Sequence, residues 1–209
     1  MKLYFAPGAC SFAVHSTINE LGLNCEVIRV DLAKKKTFDD QDFLKINPKG
    51  YVPALQLPDG QVMTEVSPIL QFLADQKPDT ALMPKAGTPE RYEMLELLNY
   101  LSAEVHKSMG AMFAIGRMVS NQEAVTEFKE NNKKVIARRL TLLAERLSSR
   151  PYLMGAQVTV ADFYLLTLLR WSGMIAFDLS PFEPLKQFMG RMTERPSVQK
   201  AIKAEGLPG

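Results

Sequence analysis

Strand and helix signals alternate through residues 2–76 and then strand signals all but vanish, and this change of pattern limits what the chain can fold into. Residues 2–6 have strand composition and are broken by Pro7-Gly8. A helix over 11–21 follows, with Val14, Ile18 and Leu21 at helical spacing and Gly22 placed as its C-cap. Residues 25–30 read as a second strand, and 39–46 as a short helix ended by Asn47-Pro48-Lys49-Gly50. Residues 52–57 and 61–64 flank the turn Pro58-Asp59-Gly60 and form a hairpin. Ser67 is set to cap a helix over 68–76 that opens with Pro68.

The resulting order is βαβαββα. Strands joined through a helix pair in parallel, and strands joined by a tight turn pair antiparallel. By analogy this mixed order is the arrangement of the thioredoxin fold. Residues 78–89 are rich in Pro, Gly and Thr and read as a linker. Beyond it come helical patterns over 90–119, 123–147, 159–173, 184–195 and 197–204. The sequence therefore predicts an α/β thioredoxin-like unit over 1–80 and an all-α unit over 89–209.

Bulk composition narrows function by exclusion. A net charge of +2 without a basic block gives no case for nucleic-acid binding. No apolar run is long enough for a membrane span, and the first eight residues carry one Lys and a very short apolar stretch, unlike a signal peptide. A cytoplasmic location is the expectation. Two cysteines, Cys10 and Cys25, and two histidines, His15 and His106, supply neither a disulfide framework nor a zinc-ligand pattern, so no metal is expected.

Three short stretches could carry chemistry. Cys10 follows Pro-Gly-Ala at the start of a helix, where unpaired N–H groups and the positive end of the dipole favour a thiolate. A free cysteine is also commonly just a small buried residue. Cys10-Ser11-Phe12-Ala13 has no second cysteine, which leaves monothiol exchange as the available redox chemistry. Pro53 removes a ladder donor beside Val52, whose own N–H and C=O are placed to pair with an extended peptide; an edge-strand proline reads the same way. Glu65, just before a helix, suits an ammonium group, while the helix N–H groups, that of Val66 among them, suit a carboxylate. Simple capping is the plainer use of that stretch. Thr159-Val160-Ala161-Asp162 has capping-box spacing and reads as a folding determinant. Met109, Met112, Phe113 and Met118 have core spacing, although Met and Phe would also suit an adaptable apolar pocket.

Taken together, these motifs resemble the glutathione transferase family, and its bacterial beta class in particular. The resemblance rests on Pro7-Gly8-Ala9-Cys10-Ser11, Asn47-Pro48-Lys49-Gly50 with Val52-Pro53-Ala54-Leu55, Thr64-Glu65, Leu98-Asn99-Tyr100, Glu104-Val105-His106-Lys107 and Thr159-Val160-Ala161-Asp162. It extends over nearly the whole chain. It implies that glutathione is the cosubstrate, that Cys10 faces its sulfur and that His106 lies nearby. It further implies that Lys35 pairs with the glycyl carboxylate and that Val52, beside cis Pro53, bonds the cysteinyl backbone. Glu65 with the Val66 amide would hold the γ-glutamyl end. Asn99, Glu104 and Val105 would approach from the helical half, some of them across the interface of a homodimer.

The implied activity is conjugation of glutathione thiolate to hydrophobic electrophiles, with thiol-disulfide or peroxidase side chemistry at Cys10. The alternative is a non-catalytic interaction module of the same fold. One departure stands out. The family usually has Ser or Gly after the acidic residue and Ala two positions later, where this chain has Val66 and Pro68. A hydroxyl contact at position 66 is thereby lost, while the backbone N–H remains.

Overall fold

A computed structural model describes residues 1–208 of the chain. β1 (Lys2–Phe5), α1 (Ser11–Leu21) and β2 (Glu26–Asp31) form a right-sized crossover unit in which β1 and β2 pair in parallel, Leu3 opposite Val27. Gly22 takes the left-handed conformation at φ 60°, and the Leu23 N–H returns to the Ile18 carbonyl, so α1 ends where the sequence places its cap. A two-residue strand, β3 (Lys36–Thr37), pairs antiparallel with β2 at the sheet edge. The sequence reading lacked it, because two residues carry no periodicity.

The helix expected over 39–46 contracts to α2 (Phe43–Ile46). Asp42 caps it by accepting from the Leu44 N–H at 3.0 Å. β4 (Ala54–Gln56) and β5 (Val62–Thr64) form the antiparallel hairpin, and the sheet order is β3-β2-β1-β4-β5. α3 (Val66–Asp75) starts two residues earlier than expected, with Glu65 rather than Ser67 at the N-cap. The Ser67 hydroxyl donates instead to the Leu98 carbonyl, tying α3 to the helical half.

The helical part comprises α4 (Pro89–Asn99), α5 (Lys107–Met118), α6 (Gln122–Leu147), α7 (Val160–Met174), α8 (Glu183–Thr193) and α9 (Pro196–Glu205). The pattern over 90–119 is not one regular helix: a π-helical stretch, Tyr100–His106, separates α4 from α5. Such a stretch shifts the register of every side chain after it, and π-helical turns recur at functional sites. At the head of α7 the Asp162 carboxylate accepts from the Thr159 N–H and hydroxyl, both at 2.7 Å, and from the Leu153 N–H at 2.8 Å. The capping-box reading of residues 159–162 is thus correct.

One continuous apolar core runs through both parts. Leu3 and Phe5 of β1, Phe12 and Ile18 of α1, and Ile69 and Leu70 of α3 join Leu98, Leu101, Phe163, Leu166 and Ile202 in it. A smaller cluster, Tyr4, Ala6, Val30, Phe43, Val52 and Ala54, covers the other face of the sheet. Among the described residues no helix is long and apolar enough to cross a membrane.

Candidate active site

The loop from β1 to α1 turns at Gly8, which has φ 69°, and is fastened from both sides. The buried Glu205 carboxylate of α9 accepts from the Gly8 N–H at 2.9 Å, and the Trp171 indole of α7 donates to the Gly8 carbonyl at 2.9 Å. The other oxygen of Glu205 lies 2.8 Å from His15 Nδ1, buried inside α1. The Ser11 hydroxyl lies 3.2 Å from the Ala6 N–H, from which it accepts. These contacts fix where Cys10 sits, at the N-cap of α1.

Cys10 Sγ donates to the Val52 carbonyl at 3.1 Å. The Val52–Pro53 peptide bond is cis. Among the described residues the Val52 N–H donates to no backbone carbonyl, as the sequence reading expects of a strand end that proline interrupts. The expected low thiol pKa is corrected. Burial pushes the Cys10 thiol up to about 12, and the negative charge of Glu65 adds to the rise. The backbone N–H groups of Cys10 and Ser11 pull the other way but are outweighed.

A cavity of about 670 Å³ opens between the sheet and the helices. Its wall includes Cys10, Val52, Pro53, Glu65 and Val66 from the first part and Asn99 and His106 from the second. Three further expected residues stand off this wall. Lys35, at φ 56°, donates from Nζ to the Gly50 carbonyl at 3.0 Å and lies 5.9 Å from the centroid of the Tyr51 ring. Glu104 is ion-paired with Arg139. Val105 is fully buried in the core, so its side chain does not reach this cavity. The helical and π-helical face points Asn99, Ser102, Ala103 and His106 into the cavity and turns Val105 away from it.

His106 Nδ1 lies 2.7 Å from the Tyr164 hydroxyl, and its ring meets Trp171 edge-on at 4.9 Å. Burial, reinforced by the neighbouring Lys107 charge, lowers the His106 pKa to about 4. Burial also raises the Tyr164 phenol well above its ordinary value. Both rings are therefore neutral near pH 7. Tyr164, Trp171, Tyr51 and Lys49 line the cavity and were missed by the sequence reading. Lys49 Nζ reaches Glu65 Oε1 at 2.7 Å and Thr64 Oγ1 at 3.0 Å. The single tryptophan of the chain and the Asn47-Pro48-Lys49-Gly50 motif were usable signals; nothing local marked Tyr51 or Tyr164. Of the Met/Phe set, Met109 and Met112 are core, whereas Phe113 and Met118 are exposed; none lies on the large cavity.

Comparison with known proteins agrees with this architecture. Residues 8–76 match the glutathione S-transferase N-terminal domain, and residues 106–196 match the glutathione S-transferase C-terminal domain. The chain is 39% identical to glutathione S-transferase GstA of Escherichia coli O157:H7, over 99% of this chain and 100% of that one. The bacterial beta-class glutathione S-transferase of Sphingomonas chungbukensis superimposes with a TM-score of 0.92 at 39% identity, over 100% of both chains. A sphingomonad glutathione S-transferase solved in complex with glutathione gives a TM-score of 0.91 at 37% identity, again over 100% of both. The chain belongs to the glutathione S-transferase family, among its bacterial beta-class members, and is an enzyme of that kind.

Proposed function

We propose that the cavity binds glutathione and directs its thiolate onto a hydrophobic electrophile. The observation that carries this reading is the convergence of Cys10, Val52, Glu65 and His106, from four separate segments, on one cavity. An extended tripeptide would pair with the Val52 backbone, while Glu65 takes its α-ammonium and the α3 N-terminus its α-carboxylate. The buried Val66 offers its N–H there but no hydroxyl. Lys35 supplies positive charge for the glycyl carboxylate side.

Conjugation proceeds by attack of the glutathione sulfur on an electrophilic carbon. The thiol proton leaves to solvent, the new S–C bond forms, and the leaving group departs with its electron pair. Stabilising that thiolate requires donors aimed at the sulfur. When the Tyr164 hydroxyl donates to His106 Nδ1, the proton of the neutral ring sits on Nε2, which becomes such a donor. Cys10 S–H becomes a second donor when it turns from the Val52 carbonyl to the glutathione sulfur. A thiol pushed up to about 12 is a poor nucleophile at neutral pH and keeps its proton, which it can offer as a weak hydrogen-bond donor. This favours conjugation over Cys10-centred redox chemistry.

Thiol-disulfide exchange at Cys10 remains the secondary activity, supported by the place of Cys10 on the cavity wall. It would attack oxidised glutathione, forming Cys10–S–S–glutathione and releasing one glutathione thiolate. The reading includes a homodimer, a cytoplasmic setting and functional units over 1–80 and 89–209. The test is retention on immobilised glutathione, mass analysis of the purified protein, and assay of Cys10→Ala. Conjugation retained with disulfide exchange lost is the expected outcome. Absence of glutathione binding at millimolar concentrations would sink the proposal and leave a non-catalytic interaction module.

A further inference from the structure

Among the described residues, Glu65 is the one carboxylate on the cavity wall. It is already engaged by an ammonium group. Lys49 Nζ stands 2.7 Å from Glu65 Oε1 and 3.0 Å from the Thr64 hydroxyl. Lys49 sits in the loop after α2 and Glu65 at the N-cap of α3, so the pair bridges two segments of the cavity rim. Both side chains are about half exposed or more, at 52% and 66%, and the lysine stem is flexible. The contact is thus a solvated ion pair, one of the weaker kinds, readily exchanged for another of the same chemistry.

We infer that Lys49 is a built-in stand-in for the ligand's α-ammonium, competing with it for Glu65 and thereby setting how strongly the site demands an amino group. This rests on the glutathione reading above. When the ligand's ammonium reaches Glu65, it gains one ion pair at the expense of another, and the net advantage of carrying an amino group is small. When the ligand lacks that group, Lys49 keeps Glu65 paired, and no carboxylate is left unmatched. The site therefore accepts thiol peptides whose γ-glutamyl amino group is absent, a class that a bare Glu65 would reject more strongly.

The test compares glutathione with its deamino analogue, glutaryl-cysteinyl-glycine, by isothermal titration at low ionic strength. The quantity read is the ratio of the two Kd values in the parent protein, in Lys49→Met and in Lys49→Arg. Removal of the competitor is expected to raise the preference for glutathione about two- to fivefold, the worth of an exposed ion pair. Lys49→Arg keeps the charge and is expected to hold the parent ratio. An unchanged or lower ratio in Lys49→Met, with glutathione still bound, overturns this inference alone; so does a Lys49→Arg ratio matching Lys49→Met. Failure of the parent protein to bind either ligand overturns the glutathione reading and this inference with it.

Discussion

Replacing Asp162 by Ala removes the acceptor on which the head of α7 depends. The carboxylate is fully buried and receives three donors: the Leu153 and Thr159 amides and the Thr159 hydroxyl. The hydroxyl can rotate toward another acceptor, but the two amides cannot. Each buried amide left unmatched costs about 1–3 kcal/mol, so the loss is about 2–6 kcal/mol before any offset. An offset exists, because burial disfavours the charged carboxylate and pushes its pKa up to about 6. Deleting the group removes that penalty, and a net destabilisation of about 3 kcal/mol is expected. For a chain of this size each kcal/mol moves Tm by about 2–4 °C, which gives a fall of about 6–12 °C by scanning calorimetry. Thr159→Ala, which removes only the hydroxyl, should lower Tm by less than half as much. A fall under 2 °C for Asp162→Ala, or equal falls for the two variants, would refute the reasoning.

Further expectations follow from the site. Glu205→Ala leaves the Gly8 N–H and His15 Nδ1 without their acceptor, so Tm should drop by roughly 5–20 °C and glutathione Kd should rise, both readable by thermal shift with and without glutathione. His106, lowered to about 4 in the fold against its ordinary 6.5, takes up a proton in the unfolded chain first. The His106 contribution to stability should therefore fall as pH drops from about 6.5 toward 4, by about 2 kcal/mol at pH 5, while Asp162, raised to about 6, contributes in the opposite sense over the same range. On going from pH 7.5 to pH 5 the urea midpoint should change less favourably in the parent protein than in His106→Asn, and an equal change in both would refute the assignment. Cys10→Ser should keep conjugation within about tenfold, since a hydroxyl also donates, yet abolish the mixed disulfide seen by mass.

How much of this was readable in the sequence varied with the range of the interaction. Gly22, Asp162 and the hairpin around Asp59-Gly60 obey local rules, and local rules are written in neighbouring residues. Cys10, Val52, Glu65 and His106 were found because motifs mark them, and the fold brings all four to one cavity. The Lys49–Glu65 and His15–Glu205 contacts join residues 16 and 190 positions apart, and no periodicity announces such a partner. The Cys10 thiol was misjudged for a related reason. A helix N-terminus is a local feature, whereas the burial that outweighs it comes from the packed fold around it. The π-helical turn over Tyr100–His106, in which Val105 faces the core, is a change of register that sequence spacing built on regular helix does not foresee.

The grip of Trp171 and Glu205 on the carbonyl and the N–H of one residue, Gly8, has a consequence for how this protein can be rearranged. The first eighty residues look like a portable cassette, yet the backbone that presents their cysteine is held by α7 and α9. Their apolar faces, Phe12, Ile69 and Leu70 among them, belong to a core shared with the helices. A chimera that keeps the sheet and exchanges the helical half inherits a cysteine loop with no anchor unless the donor supplies an indole and a carboxylate at those two places. Recombination points between such enzymes are therefore constrained by a single glycine.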